Sequence, residues 1–87
     1  MHPITAWVTA TCRALAPAPE ALRVSEVAGE RGLVIEITPG DANASRIVGR
    51  EGQAIKAMRA LAARMAELSQ TTVSVTVLSR PGGGRRT

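Results

Sequence analysis

Along the first fifteen positions, apolar residues recur at spacings of three and four: Ile4, Trp7, Val8, Cys12 and Leu15. That period predicts a short amphipathic helix. The APAPE segment at 16–20 closes it, since Pro17 and Pro19 cannot donate to a continuing helical ladder. The period then falls to two. Within LRVSEVAGERGLVIEIT, residues 22–38, Leu33, Ile35 and Ile37 alternate with Val34, Glu36 and Thr38, which predicts a strand with one buried face. The run before it is less regular: Leu22 and Val24 share one face while Val27 falls on the other, so a bulge near Ser25 and Glu26 is expected. Between the two runs, Gly29-Glu30-Arg31-Gly32 predicts a hairpin with a four-residue connection.

Pro39 and Gly40 stop the second strand, and Asp41 or Asn43 is placed to cap a short helix running to about Val48. Gly49 and Gly52 interrupt that helix. From Gln53 onward, Ile55, Met58, Leu61, Ala62, Met65 and Leu68 form one apolar stripe, with Lys56, Ala60, Ala63, Arg64 and Glu67 opposite. Core packing is the expected use of both methionines. Val73, Val75 and Val77 alternate with Thr72, Ser74, Thr76 and Leu78, which predicts a last strand. The order α-β-β-α-α-β over residues 1–79 therefore predicts an α+β domain. It has a three-stranded mixed sheet with three helices packed on one face. The first two strands run antiparallel, and the helical pair lets the third lie parallel to the second. RPGGGRRT, residues 80–87, reads as a flexible basic tail.

Charge changes this picture by its placement. Residues 1–45 carry three arginines against five acids. Residues 46–68 carry Arg46, Arg50, Lys56, Arg59 and Arg64 against Glu51 and Glu67, and the tail adds Arg80, Arg85 and Arg86. The basicity sits around the two glycines and at the C-terminus. With a pI near 11.1, this points to a polyanionic partner.

The remaining chemistry is mostly exclusion. Cys12 is the sole cysteine, so neither an internal disulfide nor a thiolate metal pair can form, and a buried small hydrophobe is its expected role. The only histidine is His2, at an end expected to fray. No Ser-His-Asp spacing and no G-x-x-x-x-G-K-[ST] loop is present, so no enzyme, metal site or cofactor is expected. Neither a basic n-region nor a long apolar run occurs, so a cytoplasmic protein without a membrane span is expected.

Two glycines three apart are explained by a tight turn alone. Yet this turn opens the helix from Gln53, where unpaired amides and the positive end of the helix dipole can face an anion. Arg50 lies between the glycines, with Arg46 and Lys56 on adjoining turns. Glu51 places a carboxylate in the same loop, which weakens phosphate attraction unless it faces solvent.

The run Ile47-Val48-Gly49-Arg50-Glu51-Gly52-Gln53-Ala54-Ile55 resembles the V-I-G-x-x-G-x-x-I core of a KH domain. A helix and strand ahead of that core resemble the type II KH arrangement. Size and layout over about residues 4–79 are similar to the KhpA (YlqC) family of small bacterial single-KH proteins. The resemblance implies that about four nucleotides of single-stranded RNA cross an aliphatic groove, in post-transcriptional regulation or as an RNA chaperone. It assigns Gly49, Arg50, Glu51 and Gly52 to the RNA backbone and Arg46 and Lys56 to phosphates. Ile47, Ile55 and one residue of Leu33 to Ile37 become the groove floor, and Arg59 a further contributor.

The absence of Phe and Tyr fits this reading, since an RRM or OB fold would need stacking aromatics on its strands. A helix-hairpin-helix DNA-binding unit also carries a glycine turn between helices, but the flanking β-rich runs argue against it. The resemblance further implies pairing with itself or with KhpB, a larger KH-containing partner. Ala54, Ala57, Ala60, Ala62, Ala63 and Ala66 would allow close helix approach, so assembly is the competing role.

Overall fold

The structure, a computed structural model, describes residues 1–78. The tail expected at 80–87 lies outside the described residues. Helix α1 spans Pro3–Leu15, and a single 3-10 turn at Pro19–Ala21 leads into strand β1, Arg23–Gly29. Strand β2 is Gly32–Thr38, helix α2 is Ala44–Val48, a second 3-10 turn covers Arg50–Gly52, helix α3 is Gln53–Leu68 and strand β3 is Val73–Val77. The α-β-β-α-α-β order expected from the periodicities is the order observed.

Helix α1 starts more firmly than its terminal position suggests. Pro3 supplies a preset φ at the first turn, and His2 Nδ1 accepts the Ile4 amide at 3.1 Å. The His2 amide in turn donates to Glu26 Oε1 at 3.1 Å, tying the helix start to β1. His2 is therefore a cap rather than a frayed end. The Glu26 carboxyl is held below its ordinary value by the nearby Thr5 hydroxyl and by the His2 amide.

β1 and β2 pair antiparallel from Arg23↔Thr38 to Gly29↔Gly32 without interruption. No bulge interrupts the pairing at Ser25 and Glu26, and the connection is two residues, Glu30 and Arg31, instead of four. Strict alternation then explains the irregular pattern of β1. Val24 turns to the helices and is half-buried, whereas Val27 faces away and stays 51 % exposed. β3 pairs parallel to β2, Leu33↔Val73 through Ile37↔Val77, giving the sheet order β1-β2-β3.

One cluster joins the layers: Ile4, Val8 and Cys12 of α1, Ile35 and Ile37 of β2, Val75 of β3, Ile47 of α2, and Ile55, Met58, Ala62 and Ala66 of α3. Helices thus cover one face of a mixed sheet. The α3 stripe is narrower than expected. Leu61 and Leu68 are 54 % and 70 % exposed, while Ala66 takes a buried place. A small residue there lets α3 come close to its neighbours, and it rotates the buried face away from Leu61 and Leu68.

Asn43 does not cap α2 with its side chain, and Asp41 is not at the cap position. Asn43 is instead fully buried, and its side-chain amide makes three hydrogen bonds to backbone. Its Nδ2 donates to Pro39 O at 2.7 Å and Ala18 O at 2.8 Å, and its Oδ1 accepts the Ala18 amide at 2.7 Å. This clamps the α1–β1 link onto the segment that enters α2, and so fixes where the glycine turn is presented.

Candidate nucleic-acid interface

Helix α2 ends because Gly49 adopts φ 84° and ψ 169°, a conformation that L residues with a side chain rarely take. Its amide still donates to Ser45 O at 2.8 Å. A Cβ on Gly49 would lie 2.7 Å from both Cβ and N of Ala54, so the turn folds tightly back on the first turn of α3. Gly52 differs. It takes φ 75° and ψ 14° as the residue before α3, yet a Cβ there would meet nothing within 4 Å. Gly49 is required by internal packing, whereas Gly52 leaves open space in front of the helix start.

No side chain caps α3. Its first turn carries no acidic residue either, so the positive dipole end stands behind the open surface of Gly52, although the 3-10 turn takes up the Gly52 amide at Gly49 O and the Gln53 amide at Arg50 O. Arg46, Arg50 and Lys56 are all exposed around this point. Among the described residues the sole ion pair is Arg64 with Glu67 at 3.0 Å, so none of these three cations is neutralised by a carboxylate there. Glu51 is exposed and left-handed, at φ 54° and ψ 27°. The loop therefore carries one carboxylate in a strained backbone position, set against three nearby cations.

The residues expected to form a groove floor are placed differently. Ile47 has no exposed surface and Ile55 only 6 %, so both pack beneath the turn and brace it. Within Leu33 to Ile37, Ile35 and Ile37 are completely covered as well, while Leu33, Val34 and Glu36 keep part of their surface. The physical reason is the strand order. β2 is central, so Ile35 and Ile37 on its inward face are roofed by helices, and the strand with an open edge beside α3 is β3. On that strand Val73 and Val77 remain half-exposed. Arg59 spans the seam, its Nε donating to Val75 O at 2.9 Å. The signal that could have pointed here is the parallel pairing of β3 with β2, which leaves β3 on the outside.

A family model described as KhpA/KhpB, KH domain, matches residues 6–77. The chain belongs to this KH-domain family. Among its relatives are proteins named RNA-binding protein KhpA from Chlamydia pneumoniae, Chlamydia caviae and Chlamydia trachomatis. Each is 32 % identical over 60 residues, covering 69 % of this chain and 77 % of the relative. The glycine turn, the three-helix layer and the mixed sheet are thus the parts of a KH domain in the type II order.

Among the described residues, no group of three or more His, Cys, Asp or Glu side chains is placed to hold a metal ion, and no helix is long and apolar enough to cross a membrane. Cys12 is buried with its thiol pushed up to about 11 by desolvation, and its Sγ lies 4.0 Å from Met58 Sδ. That thiol belongs to the core.

Proposed function

We propose that the protein binds single-stranded RNA, with the sugar-phosphate backbone seated at Gly49–Gly52 and about four nucleotides crossing the α3–β3 seam. The observation that carries this reading is the start of α3 behind Gly52, open and without a side-chain cap, with Arg46, Arg50 and Lys56 on the adjoining segments and outside any ion pair among the described residues. The names of the chlamydial relatives support it. A helix end contributes only about 0.3–1 kcal/mol at an exposed site. Arg46, Arg50 and Lys56 add long-range attraction, and the exposed parts of Val48 and Val77 offer aliphatic contact to bases. Ile47 and Ile55 act from beneath, holding the turn in shape. Post-transcriptional regulation or RNA chaperoning in the cytoplasm is the role that such binding would serve.

The test is the affinity of short single-stranded RNA as a function of salt. For roughly three neutralised phosphates the logarithmic slope should be about −2. Replacing Arg50→Asp together with Glu51→Asp should abolish binding while the fold persists, since aspartate tolerates the left-handed backbone better than most residues. Full affinity in a folded double variant would defeat the loop mechanism.

A second reading, assembly with another copy or a KhpB-like partner, is favoured by Leu61 and Leu68, which share one exposed side of α3. Sedimentation of the wild type beside Leu61→Glu decides it. A dimer lost in the variant supports assembly, and a monomer in both speaks against self-association.

A further inference from the structure

We infer that the arginines beyond Leu78, namely Arg80, Arg85 and Arg86, make a second, sequence-independent contact with RNA, holding the nucleotides that flank those in the seam. This rests on the RNA reading above and extends its footprint. The first observation is where the charge lies. Residues 1–78 carry eight cations against seven carboxylates, a net charge of +1, whereas residues 79–87 carry three arginines and no acid. Cations at the glycine turn hold a phosphate at contact distance, but a nearly neutral domain exerts little attraction on a polyanion from afar. Most of the chain's net charge of +4 therefore sits past the last strand.

The second observation is where the fold releases this segment. The short link 69–72 joins α3 to β3, so β3 runs back along α3 toward the helix start. Arg59 ties the two together, its Nε donating to Val75 O at 2.9 Å. From that tie, Gly52 lies seven residues back along α3, about 10 Å of helix rise, and Leu78 three residues on along β3, about 10 Å of strand rise. The Leu78 amide still donates to Ile37 O at 2.7 Å, so the chain is held to the sheet up to that point. It thus leaves the sheet at the same end of α3 as the glycine turn. Arg80 follows two residues later, and Arg85 and Arg86 stay within about 29 Å of Leu78 in any conformation. With about four nucleotides in the seam, these guanidiniums meet the phosphates of the flanking chain, where their donor fork matches phosphate oxygens. No aromatic residue follows Leu78, so bases are not stacked there and the contact is blind to sequence.

The experiment titrates labelled tetrauridylate and dodecauridylate against wild type and the full-length triple variant Arg80→Gln, Arg85→Gln, Arg86→Gln over a range of salt. On dodecauridylate the logarithmic salt slope should be about −4 for wild type, for roughly six neutralised phosphates, and about −2 for the variant. At 0.1 M salt the variant should bind this longer RNA about 10-fold or more weakly than wild type does. Tetrauridylate ends inside the seam, and charges more than about 10 Å away are screened at this salt, so both proteins should bind it within about 2-fold. Equal slopes and affinities of the two proteins on dodecauridylate would overturn the inference while leaving RNA binding intact. So would an equal loss on both RNAs, which would place these arginines in the seam, or tighter binding by the variant, which would show them occupied by the domain's own carboxylates. No binding of either RNA by wild type would overturn the RNA reading and this inference together.

Discussion

At the scale of single residues, the two glycines of the turn have different physical duties, and substitutions should separate them. Gly49→Ala forces a Cβ to 2.7 Å from Ala54 Cβ and N, in a backbone conformation unsuited to alanine. It should lower stability by about 3 kcal/mol in denaturant melts, since neither the end of α2 nor the start of α3 can move aside without repacking. Gly52→Ala meets no neighbour, so only its left-handed backbone is penalised, at about 1 kcal/mol. Its larger effect should be on RNA affinity, because the new methyl occupies the approach to the α3 amides. Glu51→Gly should act in the opposite sense. Relief of the strained φ of 54° should add about 1 kcal/mol of stability, and loss of the carboxylate should tighten RNA binding by about 2- to 5-fold in a fluorescence anisotropy titration. The motif was legible in the sequence as a spacing of glycines and cations. The different environments of Gly49 and Gly52 were not, because they depend on how closely Ala54 approaches from the next helix.

At the scale of elements, periodicity carried the helices and strands, while their ends and neighbours came from interactions between segments distant in sequence. The Asn43 clamp is one example: an asparagine just ahead of a helix reads as a cap, and only the approach of Ala18 and Pro39 gives it three better partners. The seam is another. Alternation marks Ile35 and Ile37 as inward-facing, but whether inward means groove or core depends on which strand is central. α3 ends in a Schellman arrangement, with the Thr71 amide donating to Ala66 O at 2.9 Å and the Gln70 amide to Glu67 O at 3.1 Å. Gln70 holds the left-handed position at φ 59°, where glycine is the usual residue. Gln70→Gly should therefore raise stability by about 1 kcal/mol in chemical denaturation and leave RNA binding unchanged, since this turn lies at the opposite end of α3 from the loop.

At the scale of the whole molecule, the core is small and α1 shares it with α3 and the sheet, so opening of one layer should expose the rest. Cys12 reports this. It has no exposed surface and its thiol is pushed up to about 11, so little thiolate exists at pH 8 and what exists is inaccessible. Reaction with a thiol reagent should be slower than that of an unfolded chain by about the unfolding equilibrium constant, and should reach the free-thiol rate through the denaturation transition. Labelling well before that transition would show that α1 detaches separately.

Charge is organised on the same scale: residues 46–68 concentrate five cations, and the fold puts Arg46 on α2, Arg50 in the glycine turn and Lys56 on the first turn of α3. The direct test of this arrangement is an amide NMR titration of the protein with a short single-stranded RNA. Shifts concentrated at Gly49–Lys56, extending along the seam to Arg59 and Val77, are the result expected. Unmoved loop amides, with shifts confined to the open sheet face at Val27 and Val34 or to the Leu61–Leu68 side of α3, would contradict the account.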